Sequence, residues 1–412
     1  MRNLIWLTMA AALILPQAAR AENDWPKVKE DCGGIFHPPP LSNAMKETTA
    51  CATGFFTARP VHITVKSIVP GGGQGFGPTF NSDYNQGNWQ KHLNVTGVAS
   101  LRQFWQTGAL FTATHTRFGA NNSARDRFRV NLYGNARGLP LMPYYGIGPQ
   151  VTQQNLTDYR AREVRAGADV INPFNKWFAA GGTLEAIFPH IEGVTTTDKN
   201  GVRSIEKVFS ETTAPGLAAQ PTFMHYQIFG EPRKGAGPFA FSYKVGYHFY
   251  QDTGSSNSSA GHYSFRQFTI NGTHTFHPDK REDSYITINP RLTISDVGAG
   301  HVMPFYLQQT LGGTDIDNAP SLRGFRDYRF RAPDNFVIQV QYDRRIWGPI
   351  GLVGFYDTGE VANRASDLSL TEMRHSFGFG LSIWTGNKTV FRATVGLGSG
   401  EGRHMYFGLP TM

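Results

Sequence analysis

Arg323 and Asp357 are the residues of this chain whose types and spacing best define a chemistry, and that chemistry is charge recognition. Arg323 lies in Leu322-Arg323-Gly324-Phe325, inside a Gly-rich stretch that begins with Leu311-Gly312-Gly313. One hairpin later comes Phe355-Tyr356-Asp357-Thr358-Gly359. A guanidinium fits a carboxylate bidentately, and partial removal from water strengthens the pair. Gly324 lets the backbone approach a wall closely. Asp343, one strand earlier, falls on the same polar face, so spacing leaves Asp357, Asp343 or both as partners of Arg323.

Catalytic and cofactor chemistry find no matching pattern. Gly380-Leu381-Ser382-Ile383-Trp384 lacks the second Gly of a nucleophile elbow. There is no H-E-x-x-H, C-x-x-C pair or Walker loop. The glycines from Gly71 to Gly77 do not separate a buried strand from a helix, so they make no phosphate cradle. The thirteen His residues are dispersed, and His274 and His277 have no third ligand at metal spacing. The expectation is a non-enzymatic chain with no metal and no cofactor.

The elements that position Arg323 and Asp357 read as strands. The composition has 46 Gly, 13% aromatic and 17% charged residues, which suits β-structure with tight turns. Mean hydropathy is −0.34, and no long apolar run follows the N-terminus. A transmembrane β-barrel escapes hydropathy because each strand is only half apolar. From Phe239 to Phe249, Phe239, Phe241, Tyr243, Val245, Tyr247 and Phe249 share one face, and Ala240, Ser242, Lys244, Gly246 and His248 the other. The same period recurs from Phe336 to Asp343, Ser376 to Ile383 and Val390 to Leu397. On this register Asp357 shares a polar face with Phe355, Val353 and Gly351, while Ile350, Leu352 and Tyr356 meet lipid. Sixteen candidate strands run from 62–80 to 403–409, with 302–311 as the eleventh and 349–358 as the thirteenth. Pro70 to Gly73 interrupts the first and Pro290 the tenth, because proline cannot donate to a ladder. The predicted fold is all-β: a single transmembrane antiparallel β-barrel of about sixteen strands with a long loop folded into the lumen.

Residues 1–21 form a secretory signal: Arg2, an apolar run from Leu4 to Leu15, and Ala19-Arg20-Ala21 before the expected cleavage. Residues 22–57 read as a largely irregular periplasmic leader containing Pro38-Pro39-Pro40, and residues 58–412 as the barrel. Cys32 and Cys51, the only cysteines, are expected to pair in an exported chain. Closing that loop of roughly 20 residues contributes about 3 kcal/mol in the chain-entropy treatment. The formal charge is +8, and removing Arg2 and Arg20 leaves +6. The basic residues are scattered on an exported chain, so nucleic acid is not an expected partner.

Leu322-Arg323-Gly324-Phe325, then Phe355-x-Asp357-x-Gly359, then the C-terminal strands, resemble the BamA/TamA-type superfamily, the bacterial surface antigen family. The resemblance covers about residues 300–409, with Leu311-Gly312-Gly313 included. Tyr144-Tyr145-Gly146-Ile147-Gly148 resembles a family segment more weakly. It implies a sixteen-stranded barrel in the outer membrane of a Gram-negative bacterium. It also implies that Arg323, carried on a loop after the eleventh strand, meets Asp357, with Phe355 and Gly359 completing the strand motif. The last strand keeps Gly402, Met405 and Phe407 of an assembly signal, although Gly408 to Met412 follow it. A lateral seam between first and last strands is expected near Gly75, Gly77, Met405 and Phe407. The segment between Glu22 and the first strand is too short for a POTRA domain, so the expectation is a barrel-only member. Its implied function is insertion or translocation of protein or lipid at the seam. Implied partners are outer-membrane lipid, unfolded outer-membrane protein clients and a separate periplasmic partner. The competing reading is a passive or structural pore with a loop-plugged lumen; Arg127, Arg129, Lys244 and Arg392 would give it a mild anion preference.

Overall fold

The fold is that of a computed structural model, which describes residues 23–36, 51, 54–119, 127–194, 201–235, 239–278, 283–315, 319–385, 388–398 and 401–408. The signal segment, Pro38-Pro39-Pro40 and the last four residues lie outside these. The strands are β1 (Val61–Ser67), β2 (Gln74–Gln86), β3 (Trp89–Ser100), β4 (Trp105–Gly119), β5 (Arg127–Tyr144), β6 (Thr157–Asn175), β7 (Phe178–Gly193), β8 (Arg203–Ser204), β9 (Thr222–Lys234) and β10 (Phe239–Gly254). They continue with β11 (Phe265–Phe276), β12 (Ser284–Asp296), β13 (Gln309–Leu311), β14 (Phe330–Ala332), β15 (Asp334–Trp347), β16 (Ile350–Ala362), β17 (Arg374–Thr385), β18 (Lys388–Gly398) and β19 (Gly402–Gly408). Sixteen of them form one antiparallel wall in chain order, with β7 passing to β9 and β12 to β15. β8 makes a short parallel contact with β6, and β13 and β14 form their own pair inside the loop between β12 and β15.

Alternation explains the wall. On β17 the outward Phe377, Phe379, Leu381 and Ile383 are 46–65% exposed, while Ser376 and Ser382 face in and are buried. A surface of that kind is stable against lipid and not against water. Large apolar residues ring the end where β6–β7 and β15–β16 turn within two residues: Phe174, Trp177, Phe178, Ile346 and Trp347. The opposite end carries the long connections, including 194–221 and 297–333. There the wall curls around a shared apolar core of Ile68, Phe104, Met142, Tyr144, Tyr159, Ile191, Ile205, Leu217, Phe305 and Tyr328, drawn from strands and loops far apart in sequence.

Two expectations are corrected. The predicted first strand is two strands, because Gly71 (φ 77°) and Gly73 (φ 78°) take the left-handed conformation and turn the chain between β1 and β2. Residues 302–311 are not a wall strand: they form a short 3-10 turn and β13, and Met303 and Phe305 are buried inside. Within the leader, of which residues 37–50 lie outside the described ones, Trp25–Phe36 forms helix α1. Cys32 and Cys51 are disulfide-bonded, Val28 packs on Gly54, and Trp25 Nε1 donates to Val61 O at 2.8 Å. The helix therefore lies at the short-turn end beside the start of β1. Pro290 stays in β12, opposite Ile338 of β15, but the ladder to β11 lapses at Asn289 and Pro290.

Candidate functional site: the lumen loop and the unpaired edges

The loop from 297 to 333 leaves the eleventh wall strand, β12, and folds into the lumen. Gly313 N donates to Leu322 O at 2.9 Å and Ser321 N to Gly313 O at 2.8 Å, which makes a narrow hairpin with Arg323 just beyond it. Leu322, Phe325 and Phe330 pack with Leu311 and with Val337 and Val361 of the wall, so apolar contacts seat the loop beside the charged pair.

Arg323 then meets Asp357. Its Nε donates to Oδ2 at 2.9 Å and its Nη2 to Oδ1 at 2.7 Å, and its backbone N–H also reaches Oδ2 at 3.0 Å. Asp357 has no exposed surface, and the Arg323 side chain is 9% exposed. The guanidinium lies 3.6 Å from the centre of the Phe355 ring, a cation–π contact that a dry site strengthens. Phe355 in turn covers Gly378, where a Cβ would lie 2.4 Å from the ring. Gly359 sits two residues beyond Asp357 on β16, opposite Val337 and Arg374.

Gly324 lets the loop backbone lie against β18. A Cβ there would lie 2.3 Å from Gly398 N, and one on Gly396 would lie 2.0 Å from Arg323 O. Glycine is required on both sides of this approach.

Asp343 does not pair with Arg323 directly. Gln341 stands between them: Arg323 Nη1 donates to Gln341 Oε1 at 2.6 Å, and Gln341 Nε2 donates to Asp343 Oδ2 at 2.7 Å. Asp343 takes Arg392 instead, at 3.0 and 3.2 Å, and Arg392 continues to the Tyr285 hydroxyl at 2.7 Å. The chain of polar contacts thus crosses the lumen from β16 to β12 and β18. Sequence reasoning missed Gln341 and Tyr285. Their only signal was inward parity on the strands.

A second polar line on the other wall was also missed. Glu185 Oε2 and His225 Nδ1 are 3.3 Å apart, His225 Nε2 and His248 Nδ1 3.0 Å, and His248 Nε2 and Thr269 Oγ1 3.0 Å. Gln227 Nε2 also points at His248 Nε2, at 3.3 Å. The residues come from β7, β9, β10 and β11, whose pairing sets Glu185 beside His225, Gln227 beside His248 and Gly246 beside Thr269.

The edges differ from the predicted seam. Gly75 and Gly77 are on β2, paired with Lys66 and Thr64 of β1, so they stand one strand inside the sheet. The edge strand on that side is β1. Met405 and Phe407 do lie on the other edge strand, β19, which pairs with β18, and both are about 70% exposed. Among the described residues no strand pairing joins β1 to β19.

No family model matches the chain, and no curated protein matches it. Solved structures do. CdiB from Escherichia coli superposes with a TM-score of 0.53 at 11% identity, over 85% of this chain and 62% of that one. The fold is that of the CdiB and BamA barrels. CdiB from Acinetobacter baumannii gives a TM-score of 0.50 at 10% identity, over 84% of this chain and 57% of that one. BamA from Haemophilus ducreyi lacking POTRA domains 1-3 gives 0.50 at 13% identity, over 88% and 77%. The chain spans less than two thirds of the length of either CdiB chain. On the CdiB- and BamA-like wall, Asp357 lies on the thirteenth wall strand, and Arg323 comes from the loop after the eleventh.

Proposed function

We propose that this protein is an integral outer-membrane barrel that passes protein or lipid through the seam between β1 and β19. One observation carries the reading: the two edge strands are unpaired with each other among the described residues, while every other wall strand has two neighbours. A strand with a ladder on one side only can template a strand from another chain. The likeness in fold to CdiB and BamA barrels supports the same direction. The apolar core at the loop end argues against a permanently open pore, since Phe305 and Tyr144 close it with 0% and 1% exposure.

Locking the edges tests this. Cysteines stepped along β1 from Val61 to Ser67, each combined with Met405→Cys, should include a pair that cross-links in the folded barrel. In a deletion strain carrying that variant, oxidation should reduce the outer-membrane content of client barrels or lipid, and reduction should restore it. A fully cross-linked barrel with an unchanged outer-membrane profile would sink the proposal.

A further inference from the structure

The lumen loop grips the last strand as well as the wall that carries Asp357. Tyr406 of β19 donates its hydroxyl to Phe325 O at 3.0 Å. Arg329, farther along the same loop, donates Nε to Oε1 of Glu401, the residue just before β19. Both side chains are 6% exposed. Arg329 is oriented from behind, by Val151 O at 3.0 Å and by the rings of Tyr145 and Phe330, 4.9 and 4.7 Å from its guanidinium carbon. Arg329 and Glu401 lie outside the Arg323 motif, and the hydrogen bonds that Arg323 makes to Asp357 involve neither of them.

The position of these contacts gives them meaning. β19 has seven residues and one ladder, to β18. A short strand with a single neighbour is the weakest part of a sheet. The loop is therefore its second fastening. The pair is also incompletely satisfied: Glu401 Oε2 and Arg329 Nη1 are buried without a hydrogen-bond partner among the described residues. A buried ion pair in that state is poor evidence for stability and suits a specific, breakable contact.

We propose that Arg329–Glu401 and Tyr406–Phe325 form a latch through which the docked loop holds β19 and keeps the seam shut. Loss of both contacts frees the β19 edge while Arg323 stays on Asp357. This proposal rests on the seam reading above, as a statement of how the seam is regulated.

Hydrogen–deuterium exchange on the purified full-length barrel in lipid nanodiscs tests it. In Glu401→Gln combined with Tyr406→Phe, amides of residues 402–408 should exchange at least about tenfold faster, equivalent to about 1.4 kcal/mol. Amides of β2 to β7 and of β16 should not change. Exchanging the charges, Arg329→Glu with Glu401→Arg, should return part of the protection that Arg329→Glu alone removes. Unchanged exchange in β19, or faster exchange spread evenly over the wall, overturns the latch. The seam reading fails separately, if the cross-linked β1–β19 barrel still supports a normal outer membrane.

Discussion

At the scale of residues, Arg323 and Asp357 form a buried bidentate pair, and its value lies in what is lost when half of it goes. Asp357→Asn leaves a guanidinium among Phe355, Gln341 and the β18 backbone with no counter-charge. Breaking such a pair typically costs about 3–5 kcal/mol. Asp357→Asn should therefore lower the unfolding free energy by that amount, measured by urea titration of the barrel refolded in detergent, whereas Gln341→Ala should cost about 1–3 kcal/mol. A loss under 1 kcal/mol for Asp357→Asn would mean the apolar seat alone fixes the loop. Gly398 gives a sharper test, because strand propensity and packing predict opposite signs. Valine is a better strand former than glycine, yet a Cβ at Gly398 would lie 2.2 Å from Gly324 O. Gly398→Val should displace the loop and speed tryptic cleavage after Arg323, Arg326 and Arg329. Unaltered cleavage would show that the close approach is not needed.

At the scale of elements, period-2 patterning made the faces legible and left the pairing illegible. The inward set Val353, Phe355 and Asp357 and the outward set Leu352 and Tyr356 were readable from sequence, and burial divides them the same way. The count of sixteen held because two errors offset each other. Gly71 and Gly73 looked like a flaw within one strand, although their positive φ makes a turn. Residues 302–311 looked like a wall strand, although Met303 and Phe305 fill the inner core. Periodicity reports an apolar face without saying whether lipid or protein covers it. Likewise His248 could be placed on a polar face, but only register sets it against Gln227 and near Thr269. His248→Leu should take away the His248 contacts of His225 Nε2 and Gln227 Nε2, leaving His225 on Glu185 and Gln227 on Thr183, a loss of about 1–3 kcal/mol. Faster amide exchange confined to β9, β10 and β11 is the expected signature, and no change there would mean the line is not structural.

At the scale of the molecule, the two ends of the lumen have opposite character, and that decides how it should conduct. The loop end is sealed by Phe305, whose ring centre is 4.8 Å from Tyr144 and 5.1 Å from Tyr159. Arg331 fastens the same point by donating Nη1 to Phe305 O at 2.6 Å. Toward the short-turn end the wall presents Arg129, Asn131 and Lys244. A path that is polar along one half and closed by packed rings at the other passes few ions. The barrel in a planar bilayer should therefore be nearly silent. Phe305→Ala removes a fully buried ring, which typically costs about 3–5 kcal/mol locally, and should raise conductance severalfold. The current should favour anions only mildly, because Arg392 is already neutralised by Asp343 and Lys244 lies 4.1 Å above the Phe229 ring. Steady, porin-like conductance of the unaltered barrel would contradict the sealed loop end and favour the passive-pore reading over a gated seam.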